Sequence, residues 1–207
     1  MLDDVKLGTG PIDALGAGRA FLQDSGSMSE WFQKRADHEA RPSRAEGRPS
    51  LTEVSQSLLI GEYPRVEDIG WLKERFAVTA IHNLQDDDDL RKNGLDAAAL
   101  RRTCEDHAIK LVRTPISDGG ADHMAEGLRP ALDDLRALIA SGERVYLHCN
   151  GGLNRAPTLA IAYLRGFEGM SLDEAQAHVK QRRACGPFMT VLEDYFGPRH
   201  HKPGKPD

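Results

Sequence analysis

Long apolar runs, basic stripes and paired cysteines are all missing from this chain of 207 residues. No apolar run approaches the roughly 20 residues needed to cross a bilayer, which argues against a membrane partner. Met1-Leu2-Asp3-Asp4 lacks the basic segment and apolar core of a secretory leader. Lys and Arg together number 27 against 32 Asp and Glu, a net charge of −5. With no basic stripe, that balance excludes nucleic acid as the main partner. Three cysteines do not make a disulfide framework, so a reducing, cytoplasmic setting is expected. The length suits one ordinary α/β domain with extensions.

Present instead is His148-Cys149-Asn150-Gly151-Gly152-Leu153-Asn154-Arg155. It follows the apolar run Val145-Tyr146-Leu147, which reads as a buried strand, and precedes the helix-forming run from Ala156 to Leu164. A strand that enters a helix through a Gly-rich turn leaves several backbone N–H groups pointing at one spot. Those donors and the helix dipole form an anion site. Cys149 enters the turn and Arg155 leaves it, so both side chains face whatever the turn cradles. Helix dipole and guanidinium both favour a thiolate there. A guanidinium fork can hold two oxygens of one phosphate. A thiolate aimed at a clamped phosphate implies phosphoryl transfer through a cysteinyl-phosphate intermediate. On this reading Asn150, Gly151, Gly152, Leu153, Asn154 and Arg155 bind phosphate, and His148 orients the loop. A lone cysteine is more often a small core residue; the strand, glycines, spacing and helix together favour the site.

Around this stretch the chain divides into an extension, a domain and a tail. Residues 1–50 read as an N-terminal extension with a possible helix at 27–40 and a Pro-containing linker. Residues 51–196 read as the catalytic domain, and 197–207, rich in Pro, Lys and His, as a flexible tail. Strand–helix alternation after Thr52 predicts an α/β domain with a mainly parallel sheet flanked by helices. Strands are expected at Leu58–Ile60, Val78–Leu84 and Ile109–Val112, with helices from Val66 to Phe76 and after Asp96. A longer helix carries Leu128, Leu132, Leu135 and Ile139, and Pro130 either starts or kinks it. Ser171-Leu172-Asp173-Glu174 forms a capping box. Asp86-Asp87-Asp88-Asp89 reads as a solvated turn rather than a metal site, because sequence neighbours rarely converge. His200-His201 reads as incidental. No metal and no cofactor are called for.

Ligands of such sheets lie beyond the carboxyl ends of the strands. Asp118 sits on a Gly-flanked loop after the Ile109 strand, and it is the candidate general acid for the leaving oxygen. Asp122 is the second candidate, and a turn-capping Asp118 is the bland alternative.

The signature resembles that of the cysteine-dependent phosphatases, His-Cys-x-x-Gly-x-x-Arg, and Ala156-Pro157 resembles the dual-specificity branch. Over about residues 50–196 the chain resembles, in more detail, the plant glucan phosphatases of the starch-excess group and, more distantly, laforin. The carriers are Asn83-Leu84-Gln85-Asp86-Asp87-Asp88-Asp89-Leu90 with Gly94-Leu95-Asp96, then Arg155-Ala156-Pro157 with Ala160-Ile161-Ala162-Tyr163, and Arg182-Arg183-Ala184-Cys185-Gly186-Pro187. The resemblance implies Cys149 as nucleophile, Arg155 as phosphate clamp, Asp118 as general acid and a phosphorylated glucan as substrate. Asn154 stands where dual-specificity enzymes usually carry Ser or Thr to support the thiolate, and its amide can donate a comparable bond. Gly119 follows the acid where the glucan group commonly has an aromatic. Tyr63, Trp71, Tyr163 and Phe188 are the rings available for sugar stacking, with Tyr163 and Phe188 better suited to the core. A phosphoprotein substrate is the alternative, and a pseudophosphatase that binds phosphorylated ligands without turnover is a third reading. Cys104 and Cys185 raise the further question of a thiol that rescues an oxidised Cys149.

Overall fold

In the four parallel strands, side chains alternate between two separate apolar clusters, and this places the sheet between two helical layers. The description rests on a computed structural model in which residues 47–202 are described. The strands are β1 (Leu51–Glu53), β2 (Leu58–Gly61), β3 (Ala80–Asn83), β4 (Lys110–Arg113) and β5 (Val145–His148). Their order is β1-β2-β5-β3-β4, with β1 antiparallel and the other four parallel. Seven α-helices accompany them among the described residues: α1 (Ile69–Phe76), α2 (Asp87–Lys92), α3 (Ala97–Asp106), α4 (Ala121–Ala140), α5 (Arg155–Phe167), α6 (Leu172–Lys180) and α7 (Met189–Phe196). A 3-10 turn, Val66–Asp68, leads into α1.

Successive strand residues point to opposite faces, so Leu58, Ile60, Ala80, Val145 and Leu147 join the core under α4, α5, α6 and α7. Leu59, Ile81 and Tyr146 join the other core with Ile69, Leu72, Leu100, Cys104 and Ile109. Tyr146 is fully buried, and its hydroxyl donates to the Glu62 carbonyl at 2.6 Å, which removes the penalty of a buried unpaired O–H.

Strand register decides where the functional residues lie. Gly61 pairs with His148, His148 with Asn83, and Asn83 with Arg113, so four parallel strands end level. The segments that follow them, from Glu62, Leu84, Thr114 and Cys149, therefore leave the sheet at one edge, and β5 leaves from its centre. Pro130 lies inside α4, which begins upstream at Ala121, so it does not start the helix. Asp96 caps α3 by accepting from the N–H groups of Ala98 and Ala99. Ser171 and Glu174 cap α6 reciprocally.

One reading of the sequence needs correcting. The acidic stretch is not a solvated turn: Asp86 caps α2, and Asp89 is buried. At the start of the expected tail, Arg199 pairs with Glu193 and Lys202 with Glu174. The helix at 27–40, most of the linker and residues 203–207 lie outside the described residues.

Candidate active site

Cys149 follows the last residue of β5 and is 3% exposed. Between it and α5 the chain makes the tight turn Asn150–Asn154. Gly152 takes φ +65°, a left-handed conformation, and a Cβ there would stand 2.5 Å from the Gly61 carbonyl oxygen. Only glycine fits both demands. Among the described residues, no backbone N–H from Asn150 to Arg155 donates a hydrogen bond to the protein. The loop carbonyls are instead held from behind. Arg183, buried, donates through Nε to Gly152 O at 2.8 Å and through Nη2 to Gly151 O at 2.9 Å. Asn150 O accepts from Tyr63 N, and Leu153 O from Gly186 N. Carbonyls bound outward leave the N–H groups turned inward, the arrangement of an anion nest.

Arg155 opens α5 and is 1% exposed. Nη1 donates to Asp89 Oδ2 at 2.6 Å and to Ile116 O at 2.6 Å, and lies 3.5 Å from Leu84 O. Nη2 lies 3.3 Å from Asp118 Oδ2, whose side chain is 47% exposed. Nε is buried with no partner. Burial disfavours this charge, yet the neighbouring Cys149, Asp89 and Asp118 outweigh it and raise the guanidinium's pKa above its ordinary value. Nη1 is thus committed to protein, while the Nε–Nη2 edge, the side that grips two oxygens, holds one exposed carboxylate.

The loop after β4 brings Asp118 to the same place. Ile116 is its anchor, seated where Gly127 of α4 leaves room: a Cβ on Gly127 would lie 2.5 Å from Ile116 Cγ1. Asn150 Nδ2 lies 3.5 Å from Asp118 Oδ2. Asp122 is exposed in the first turn of α4 and makes no ion pair among the described residues. The Asn154 side chain does not support the thiol. Its Nδ2 donates to Gly186 O at 2.7 Å, a longer reach than Ser or Thr would have. His148 donates from Nδ1 to Cys149 O at 3.1 Å, and burial lowers its pKa to about 3. Tyr63 lies beside the loop, through Tyr63 N to Asn150 O, while Phe188 packs against the core and its N–H donates to Thr158 Oγ1 in the first turn of α5. Tyr163 is core, and Trp71 packs against Phe76 under Arg48.

Asp89, Arg183 and Gln85 were not singled out as site residues by the sequence, though all three stand in the segments that carry the family resemblance. The three cysteines are free. Cys185 shares the Cys149 core, and burial raises its thiol to about 11. Cys104 belongs to the opposite core, near the end of α3 where β4 begins, and so at the far edge of the sheet. Among the described residues no cluster of three His, Cys, Asp or Glu could hold a metal, and no helix is long and apolar enough to cross a membrane.

A level row of parallel strand ends, a Cys–Arg loop at the centre and an Asp-bearing loop beside it match the arrangement expected of the dual-specificity phosphatase family. The chain belongs to that family: the model described as dual specificity phosphatase, catalytic domain, matches residues 59–192. It is 30% identical over 145 residues to the phosphoglucan phosphatase DSP4, amyloplastic, of Castanea sativa, covering 68% of this chain and 38% of that protein. It is 34% identical over 103 residues to dual specificity protein phosphatase 1 of Homo sapiens, covering 45% and 28%. The matches thus span less than half the length of these relatives. Among solved structures it resembles Tk-PTP in the active form, with a TM-score of 0.60 at 23% identity over 70% of this chain and 95% of that one. It also resembles PTPMT1, with a TM-score of 0.53 at 19% identity over 70% and 90%. These two likenesses concern the fold.

Proposed function

We propose that residues 51–196 form a catalytic domain that hydrolyses phosphomonoesters through a cysteinyl-phosphate intermediate, with a phosphorylated glucan as substrate. The observation that carries the chemistry is the free edge of Arg155: a buried Nε without a partner beside an Nη2 held only by an exposed carboxylate. A phosphate dianion satisfies both donors at once and meets the unpaired N–H groups of the loop.

The steps balance as follows. The Cys149 thiolate attacks phosphorus, the S–P bond forms, and the P–O bond to the leaving group breaks. The leaving oxygen takes its proton from Asp118. Water then attacks phosphorus and gives a proton to the Asp118 carboxylate. The S–P bond breaks, restoring the thiolate and releasing inorganic phosphate. Throughout, Arg155 and the loop N–H groups hold the charge on the equatorial oxygens. A reducing, cytoplasmic setting suits a mechanism that needs a free thiolate.

The glucan reading draws on the 30% identity with a phosphoglucan phosphatase along 68% of this chain, a longer stretch than the match to the human enzyme. Tyr63, whose backbone N–H meets the Asn150 carbonyl, is the ring beside the loop that could meet a sugar face. The alternative, a phosphoprotein substrate, draws on the 34% identity with dual specificity protein phosphatase 1 and on Gly119, which puts no aromatic after the acid. Phosphate release from phosphorylated amylopectin or glycogen, set beside release from phosphotyrosyl and phosphothreonyl peptides, tests it. Preference for the peptides overturns the glucan reading, and full activity in Cys149→Ser overturns the mechanism.

A further inference from the structure

Two carboxylates meet Arg155, and they differ in kind. Asp118 arrives on a loop and is about half exposed, whereas the Asp89 side chain is 3% exposed and meets Nη1 at 2.6 Å. A buried carboxylate is costly unless its lone pairs are satisfied. Those of Asp89 are: Oδ2 also accepts from Asp86 N, and Oδ1 accepts from Asn150 Nδ2 at 2.6 Å. Asn150 is fixed in turn, because the side-chain amides of Gln85 and Asn93 donate to its Oδ1 at 2.8 and 2.9 Å. Its Nδ2 is also the group that approaches Asp118.

A guanidinium can present any of its edges, and only one presents Nε. With Asp89 and Ile116 O holding Nη1, a rotation that buries Nε against protein would break both bonds. We propose that Asp89 is a positioning residue: it fixes Arg155 with its Nε–Nη2 edge toward the bound phosphate and, through Asn150, ties that clamp to Asp118. The inference rests on the phosphate-clamp reading above but not on turnover.

The test is oxyanion binding by the full chain carrying Cys149→Ser, with tungstate as the probe and calorimetry as the measurement. Adding Asp89→Ala should weaken binding about tenfold or more, the scale of a lost charge-assisted hydrogen bond. Adding Asp89→Ala to a chain that also carries Arg155→Lys should change affinity by less than about twofold, because no fork remains to be aimed. Equal losses in both backgrounds, or no loss in the first, overturn the proposal, since a role in folding alone would act alike in both. Where Asp89→Ala does not fold, Asp89→Asn carries the same comparison. It keeps an acceptor for Nη1 and drops the charge, with an expected loss of about threefold or more only where Arg155 is present. A Cys149→Ser chain that binds no tungstate at millimolar concentration overturns this proposal and the clamp together. A wild-type chain that turns over no phosphomonoester overturns the proposed activity and leaves this inference standing.

Discussion

Acidification between pH 7 and pH 5 should destabilise this domain through two buried histidines. His82 and His148 sit on neighbouring strands, essentially without solvent contact, and burial lowers their pKa values to about 4 and about 3. For His82 the Asp134 carboxylate pulls weakly the other way. For His148 the bond to Cys149 O also raises the value, while His82 and Arg155 lower it. Both rings are therefore neutral in the fold, whereas in the unfolded chain each takes a proton near pH 6.5. Below that value the unfolded state binds more protons than the native one, so stability falls as pH falls. The loss is about 1.4 kcal/mol per pH unit per ring until the folded values are reached. At pH 5 this comes to about 2 kcal/mol for each ring, or about 4 kcal/mol from a domain stability of about 5–15 kcal/mol. Depressed carboxylates such as Asp86 and Glu143 contribute in a lower window, as pH drops below their ordinary values of 3.8 and 4.5. Urea denaturation from pH 7.5 to pH 5 reads the effect as a falling midpoint at constant slope. His148→Asn, which keeps a donor near Nδ1, and His82→Gln, which keeps one near Nε2 for Thr114, should each remove about half of the slope. A stability that stays flat from pH 7 to pH 5, or a slope that survives in the double variant, refutes the reasoning.

Cys149→Ser should abolish turnover yet keep phosphate affinity, and Arg155→Lys should be severely impaired because a point charge cannot replace the fork; steady-state kinetics with an aryl phosphate reads both. Asp118→Ala should slow alkyl phosphates about a hundredfold or more while sparing activated aryl phosphates. The same pattern in Asp122→Ala would move the acid to that residue. Gly152→Ala should destabilise the fold by more than the roughly 1–2 kcal/mol of a left-handed alanine, because its Cβ also strikes the Gly61 carbonyl, and an unchanged urea midpoint would contradict this. Peroxide should inactivate the enzyme and dithiothreitol restore it. Mass spectrometry finding Cys149 bridged to Cys104, which faces the other core, would contradict the strand register.

Most of the fold was legible because its signals are local. A short continuous apolar run and the Gly-rich turn give the strand–loop–helix around Cys149, and capping residues give the starts of α3 and α6. The order β1-β2-β5-β3-β4 was not legible, since pairing depends on which hydrophobic faces meet and not on spacing along the chain. β1 escaped notice for a related reason: three residues with one exposed side chain carry no period to read. At the site, Cys149 and Arg155 share a single turn and can be paired by counting. Arg183 reaches the loop from 31 residues beyond Gly152, so only the fold reveals that it holds the loop's carbonyls.

The four aspartates illustrate a different failure. Adjacent carboxylates were read together as solvated because side chains next to each other in sequence diverge. They do diverge, but divergence on a helix of 3.6 residues per turn gives each a separate destination rather than a shared exposure. Asp86 turns inward on its own helix as the cap, Asp87 meets Arg113 at 2.6 Å, and Asp88 meets Arg91 at 3.0 Å. Asp89, on the inward face, is the one carried under Arg155. A run of like charges is cheap to expose and costly to bury, so the member that is buried must have met an opposite charge of its own. With Arg155 six residues past Cys149 and buried at the start of α5, that partner had to be recruited from another loop at the same sheet edge. The short α2, which brings Asp89 there, exists where the sequence suggested only a turn.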